Sequence, residues 1–174
     1  MRSLNRALTA LEDLFGLVGK IALLAIMCAV VADAGGRYLF SNPVPGVYEI
    51  TELYLMLAIV FFGFALTQRE GGHVRADIFF DMLPLRVRRG LEIFYLLAAF
   101  AVFALIAYAA GRASLQHIAA ARWTTGVVPI PTGPSWAIAC IGSAVLSLRL
   151  ALQAALLLLG GDLPGRGHAP DRNT

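Results

Sequence analysis

The sequence predicts an all-α integral membrane protein with four transmembrane helices and short interfacial helical segments. Of its 174 residues, 59% are hydrophobic and 14% are charged, whereas a soluble domain carries about 25% charged residues. The charges are clustered, and the uncharged tracts between them reach the roughly 20 residues that a membrane-spanning helix needs. This composition excludes a water-soluble enzyme and a nucleic-acid binder, because the basic residues flank apolar tracts, where they meet lipid phosphates.

Residues 1–14 are predicted to form a cytoplasmic leader that lies along the membrane surface. Leu4, Leu8 and Leu11 recur at helical spacing, and the charged residues occupy other positions around the helix, as in interfacial amphipathic helices. The first span is predicted to follow directly, at residues 15–39.

The other three spans are separated by sequences that cannot continue a helix. The run Ser-Asn-Pro-Val-Pro-Gly at residues 41–46 has the composition of a turn. The prolines of Val-Val-Pro-Ile-Pro at residues 127–131 are incompatible with a helix. The remaining spans are therefore placed at residues 48–68, 91–110 and 135–159, which completes one membrane domain at residues 15–159. The Gly- and Pro-rich segment at residues 160–174 is predicted to be a disordered cytoplasmic tail.

The distribution of lysine and arginine predicts which side of the protein faces the cytoplasm. Eleven of the 14 basic residues lie on the side of the termini and the middle connection, and three lie on the opposite side. Because positive charges concentrate on the cytoplasmic side of membrane proteins, both termini are predicted to be cytoplasmic. The residues that mark this cytoplasmic interface are Lys20, Arg69, His73, Arg75, Asp77, Arg86, Arg88 and Arg89.

Four charged residues near the outer interface are predicted to form an interhelical ion-pair cluster. Arg37 lies 17 residues after Lys20, with Asp33 one helical turn away on the same face. Glu52 likewise lies 17 residues before Arg69, so both charges are about 26 Å from the cytoplasmic marker of their own span. Antiparallel neighbours would bring Arg37 level with Glu52. A structural clasp is favoured over a proton- or ion-coupling site, because transport sites usually lie near the midplane. The cluster comprises Asp33, Arg37, Glu49 and Glu52.

The fourth span carries two further features. Small residues recur there at every fourth position and form a possible helix-packing face, since small side chains let helices approach closely. Arg149 lies about ten residues before the end of this span, and we expect its guanidinium to extend to the cytoplasmic surface. The small residues are Ala139, Ser143, Ser147, Ala151 and Ala155.

No catalytic, cofactor-binding, metal-binding or substrate-binding residues are predicted. His73, His117 and His168 fall in the middle connection, on the outer side and in the tail. No two of them can ligate one haem at a shared depth, which argues against the membrane anchor of a redox enzyme. We also find no nucleophile–base pair and no glycine loop that would hold a phosphate. We therefore expect no enzymatic activity, no cofactor and a role as a subunit of a larger assembly.

Several motifs resemble the small membrane subunit, of DctQ type, of tripartite ATP-independent periplasmic (TRAP) transporters. The most specific of them is Gly-His-Val-Arg-Ala-Asp at residues 72–77, which follows a span that opens with two glutamates. The resembling residues are Gly36-Arg37-Tyr38-Leu39-Phe40, Pro43, Pro45, Glu49, Glu52, Gly63, the run from Arg69 to Asp77, and Leu83-Pro84. Many relatives have a Trp just before the glutamates, whereas the nearest aromatic residue here is Tyr48.

The resemblance implies a division of labour in a bacterial inner membrane. A large membrane subunit moves an organic acid together with sodium, and a soluble periplasmic protein delivers that acid. The small subunit binds no substrate and braces the immobile scaffold of an elevator-type transporter. The expected partners are thus the large subunit, the periplasmic binding protein through the complex, and membrane lipids. The alternative from the residues alone is a stand-alone homodimeric, proton-coupled transporter, with Asp33 or Glu52 as its coupling carboxylate.

Overall fold

The computed structural model describes residues 2–69 and 85–159, which are almost entirely helical. Within these two ranges no β-strand occurs, and four helices are long and apolar enough to cross a membrane. The predicted all-α membrane fold is therefore confirmed. The elements are α1 (Arg2–Phe40), α2 (Val47–Ile50), a π-helical turn (Thr51–Leu55), α3 (Met56–Arg69), α4 (Leu85–Ala119) and α5 (Gly133–Leu158).

The first helix is continuous and has no break between the predicted leader and the predicted span. α1 has 39 residues, a length of about 58 Å at 1.5 Å per residue. The leader does not form a separate helix, because its apolar side packs against the rest of the protein. Leu8 is 3% exposed within the main hydrophobic cluster, and Glu12 is fully buried.

The second span begins directly after Gly46, whose φ of +84° is a left-handed conformation that favours glycine. It runs through α2, the π-helical turn and α3, and so covers residues 47–69 against the predicted 48–68. The π-helical turn was not predicted, because a shift of the hydrogen-bond register leaves no clear mark in the sequence. Such turns occur mostly as single interruptions of α-helices and are frequent at functional sites.

α4 is longer than the predicted third span at both ends. It begins at Leu85 instead of residue 91, and it continues to Ala119, past the predicted end of the span at residue 110, because Gly111 is followed by residues that can continue a helix. α5 spans 133–158, within two residues of the prediction. It begins with Pro134 in its first turn, where the missing N–H of proline leaves no helical hydrogen bond unmade.

The helices pack as a row in the order α1, α3, α5, α4. α5 is the most buried helix and lies between α3 and α4, whereas α1 and α4 form the two edges. The main cluster contains Leu96, Leu146 and Leu150, and Leu8 joins it from α1. A second cluster joins α1 to α3, where the rings of Phe15 and Phe62 stack at 4.5 Å.

The contact between α3 and α5 depends on one glycine. A Cβ atom added at Gly142 would lie 2.6 Å from the Cβ of Phe61 and 2.8 Å from its carbonyl oxygen. No side chain fits in that space, so the hydrogen of Gly142 sets the distance between the two helices. This close approach is of the kind that small residues permit between membrane helices.

Candidate functional site

The polar residues collect in two places, which we call the loop end and the terminal end. The loop end carries the turn at residues 41–46 and the connection at residues 120–132. The terminal end carries the start of α1 and the end of α5. At each end, side chains that are distant in sequence hold different helices together.

The connection between α4 and α5 folds back on itself at the loop end. Trp123 and Pro131 form an isolated antiparallel bridge. The amide of Thr124 donates to the carbonyl of Ile130 at 2.9 Å, and the amide of Thr132 donates to the carbonyl of Arg122 at 3.1 Å. The non-helical structure predicted for residues 127–131 is confirmed.

This connection rests on the start of the second span. Glu49 Oε1 accepts a hydrogen bond from the amide of Val127 at 2.8 Å. The hydroxyl of Tyr54, in the π-helical turn, donates to the carbonyl of Pro131 at 2.6 Å. Glu49 thus binds the backbone of a distant loop, and two hydrogen bonds attach the α4–α5 connection to the second span.

Asp33 performs the same task for the turn between α1 and α2. Its Oδ2 lies 2.9 Å from Nη2 of Arg37, one helical turn further along α1. Its Oδ1 accepts a hydrogen bond from the amide of Val44 at 3.0 Å. Both carboxylate oxygens are therefore engaged, one by a cation and one by the backbone of the turn.

All four residues of the predicted ion-pair cluster lie at the loop end. Arg37 pairs with Asp33 on its own helix, and its side chain is 64% exposed. Arg37 and Glu52 line the same cavity between α1 and the second span. Arg37 and Glu52 form no ion pair in the structure, because Asp33 on the same helix holds the guanidinium of Arg37. The role of the cluster as a clasp stays a prediction.

At the terminal end, Glu12 of α1 and Arg149 of α5 form a buried ion pair that the sequence reasoning missed. Arg149 Nε lies 3.5 Å from Glu12 Oε1, and the side chains are 3% and 0% exposed. The expected extension of Arg149 to the surface is wrong, because the carboxylate of α1 holds its guanidinium inside. The available signal was the position of Glu12 one helical turn after Leu8, on the apolar side of the leader.

A second polar contact extends this buried layer. Nε2 of Gln68 donates to Oε1 of Gln153 at 2.9 Å, and both residues are buried. Gln153 lies one turn beyond Arg149 on α5. The Glu12–Arg149 ion pair and the hydrogen bond between the two glutamines together link α1, α3 and α5. Buried polar groups therefore contribute to the alignment of these helices.

The small-residue face of α5 is buried along only part of its length. Ala139, Ser143 and Ser147 are buried, Ala151 is partly exposed and Ala155 is exposed. Its use as a contact with another chain stays a prediction.

Most of the predicted cytoplasmic markers lie outside the described part of the chain. Lys20 is exposed on α1. His73, Arg75 and Asp77 lie outside the described residues, as do the side chains of Arg69, Arg86, Arg88 and Arg89 and the tail at residues 160–174.

The contacts described above are hydrogen bonds and ion pairs of side chains with other side chains and with backbone groups. Within residues 2–69 and 85–159, no group of three or more His, Cys, Asp or Glu residues could hold a metal ion. His117 is engaged by Thr132, with Nδ1 and Oγ1 2.7 Å apart, and its ring packs on Trp136. The arrangement can hold helices and loops in register.

A protein-family model described as "Tripartite ATP-independent periplasmic transporters, DctQ component" matches residues 26–160. The match covers 135 of the 174 residues, from the second half of α1 to the end of α5. A search of curated proteins found no match.

Proposed function

The chain belongs to the family of DctQ components of tripartite ATP-independent periplasmic transporters, and from this premise we propose that it braces the scaffold of the large membrane subunit. The family resemblance drawn from the sequence motifs is thereby confirmed, and the protein is a multi-pass membrane component of a transporter. The proposal adds its mechanical role and its partners.

In this proposal the large subunit carries an organic acid together with sodium, and a periplasmic protein delivers the acid. The chain itself binds no substrate and catalyses no reaction. Its contribution is rigidity, which a scaffold needs while another domain slides past it. The observation that carries the proposal is the family match, and the joints at both ends of the helix row support it. Asp33, Glu49 and Tyr54 fasten the loop end, while Glu12 and Arg149 fasten the terminal end.

The alternative of a stand-alone proton-coupled transporter loses one of its two candidate carboxylates. Asp33 uses one oxygen for Arg37 and the other for the amide of Val44. A carboxylate committed in this way serves the fold of the turn, which leaves Glu52 as the remaining candidate of the alternative.

Reconstitution into proteoliposomes tests the proposed function. We expect sodium-driven uptake of an organic acid when the large subunit, the periplasmic binding protein and this chain are all present. We expect no uptake when this chain is omitted or when it is the sole membrane component. Full uptake by the other two components without this chain would contradict the bracing role, and uptake by this chain alone would restore the alternative.

We also propose that the chain lies in the bacterial inner membrane with both termini in the cytoplasm, so that the loop end is periplasmic. The eleven-to-three distribution of basic residues supports this orientation. Alkaline phosphatase is active only outside the cytoplasm. A fusion after Thr174 is therefore expected to be inactive, and a fusion near Gly126 in the α4–α5 connection is expected to be active. The reverse pattern of activities would overturn the orientation.

A further inference from the structure

A groove at the loop end runs between α1 and the second span. It has a volume of about 430 Å³. Its walls combine three charged residues with apolar side chains. The lining residues that the argument uses are Val30, Asp33, Arg37, Thr51, Glu52 and Met56. We call this cavity the loop-end groove.

The loop-end groove contains a carboxylate that nothing in the described part of the chain neutralises. Asp33 already balances the charge of Arg37. Glu52 makes no hydrogen bond or ion pair with any of the described residues. The hydroxyl of Thr51 is buried there and also has no hydrogen-bond partner among them. The groove therefore carries one excess negative charge and an unused polar group.

The position of the groove determines which kind of partner can reach it. Val30 lies ten residues before the end of α1, about 15 Å along the helix. Met56 lies nine residues after the start of α2, about 13 Å along the second span. Both side chains are about half exposed, at 52% and 53%. The groove therefore opens on an exposed apolar side of two membrane-spanning helices, where a helix of another membrane subunit can contact it.

The π-helical turn provides an independent indication that this segment is more than a spacer. Two of its residues, Thr51 and Glu52, line the groove. A third, Tyr54, donates a hydrogen bond to the α4–α5 connection. A π-helical turn is rare, and such turns are frequent at functional sites. The residues of this turn contact both the groove and the α4–α5 connection.

We propose that the loop-end groove receives a basic side chain, lysine or arginine, from a helix of the large membrane subunit. This inference rests on the proposed function, which supplies that partner. The long aliphatic stem of such a residue matches the apolar wall formed by Val30 and Met56, and its charged head reaches Glu52. A charge within a membrane helix is stabilised by an opposite charge on its neighbour. The pair would thus attach the small subunit at a defined depth and register.

Co-purification of the large subunit with tagged chain tests the inference. Glu52→Gln is expected to lower the recovery of the large subunit about tenfold, since breaking a desolvated charge pair between subunits has effects of this size or larger. Glu52→Lys should lower it further, and Glu52→Asp should retain part of it. Gln116→Lys raises the net charge of the chain by one, as Glu52→Gln does, but at an exposed position on α4. This matched control should leave recovery unchanged. The melting temperature of each purified variant should equal that of the wild type, because Glu52 has no partner within the described residues.

A photoreactive residue at Met56 identifies the occupant directly. We expect a cross-link to the large subunit. Cross-links only to lipid, to a second copy of the chain or to the periplasmic protein would overturn the inference. If Glu52→Lys recovers as much of the large subunit as the wild type does, the inference about the groove is also overturned, but the proposed function still stands. Failure of the wild-type chain to recover the large subunit would contradict the proposed function itself.

Discussion

Replacing Arg149 with leucine is expected to lower the free energy of unfolding by about 3–5 kcal/mol, the range observed when one partner of a buried ion pair is removed. The substitution leaves the carboxylate of Glu12 inside the protein without its guanidinium partner, and both side chains are at most 3% exposed. Glu12→Leu should have a comparable effect. The measurement is unfolding by dodecyl sulfate titrated into micelles of a mild detergent, followed by circular dichroism.

The double variant Glu12→Leu/Arg149→Leu distinguishes an ion pair from two unrelated effects. Replacing a whole buried pair with apolar residues is often neutral, so we expect stability within about 1 kcal/mol of the wild type. Arg112→Leu is the matched control, because this arginine is exposed and its contact is with the ring of Tyr108. Its effect should stay within about 0.5 kcal/mol. If the two single losses simply add in the double variant, Glu12 and Arg149 are not coupled.

Gly142→Ala is expected to destabilise the protein, although the same change usually favours a helix. The added methyl group would overlap the Cβ and the carbonyl oxygen of Phe61, at 2.6 and 2.8 Å. Because one of these atoms belongs to the backbone, α3 and α5 must move apart, and overpacking of this kind costs about 1–3 kcal/mol. Gly142→Leu should prevent the two helices from packing.

Gly63→Ala provides the matched control in the neighbouring helix. Apart from its chain neighbours and the surrounding backbone of α3, no atom lies within 4 Å of a Cβ added at Gly63. Alanine is favoured over glycine in a helix by up to about 1 kcal/mol, so this variant should be as stable as the wild type or more stable. The same detergent titration measures both variants. Equal stabilisation by the two substitutions would show that α3 and α5 are not in close contact at Gly142.

Much of the fold follows from properties of single segments. Hydrophobicity and the absence of charge identify the four spans, and prolines identify the turn at residues 41–46 and the non-helical part of the α4–α5 connection. The continuity of α1 was missed, because the charges of the leader suggested a surface helix. In the structure one of those charged residues, Glu12, is buried and forms an ion pair with Arg149 of α5.

The sequence indicates which charged residues lie at the loop end and at what depth in the membrane, but not which hydrogen bonds they form. The sequence shows that Asp33 and Arg37 lie one turn apart, yet it does not reveal that Asp33 also binds the amide of Val44. Nor does it reveal that Glu49 binds the amide of Val127, which is 78 residues away. Acceptors of this kind cannot be assigned before the path of the loops is known, because any exposed amide is an equally suitable donor.

The sequence by itself determined the number of spans, their approximate bounds and the transporter family, because these depend on local hydrophobicity, proline positions and short motifs. Only the tertiary structure decided the order of the helices in the row, the close approach at Gly142 and the burial of Arg149 against Glu12. It also showed that Glu52 lines an open groove without a partner among the described residues. These features depend on the free energy of bringing distant segments together. Steric fit and the pairing of buried charges determine that free energy jointly, so it cannot be read from any single segment.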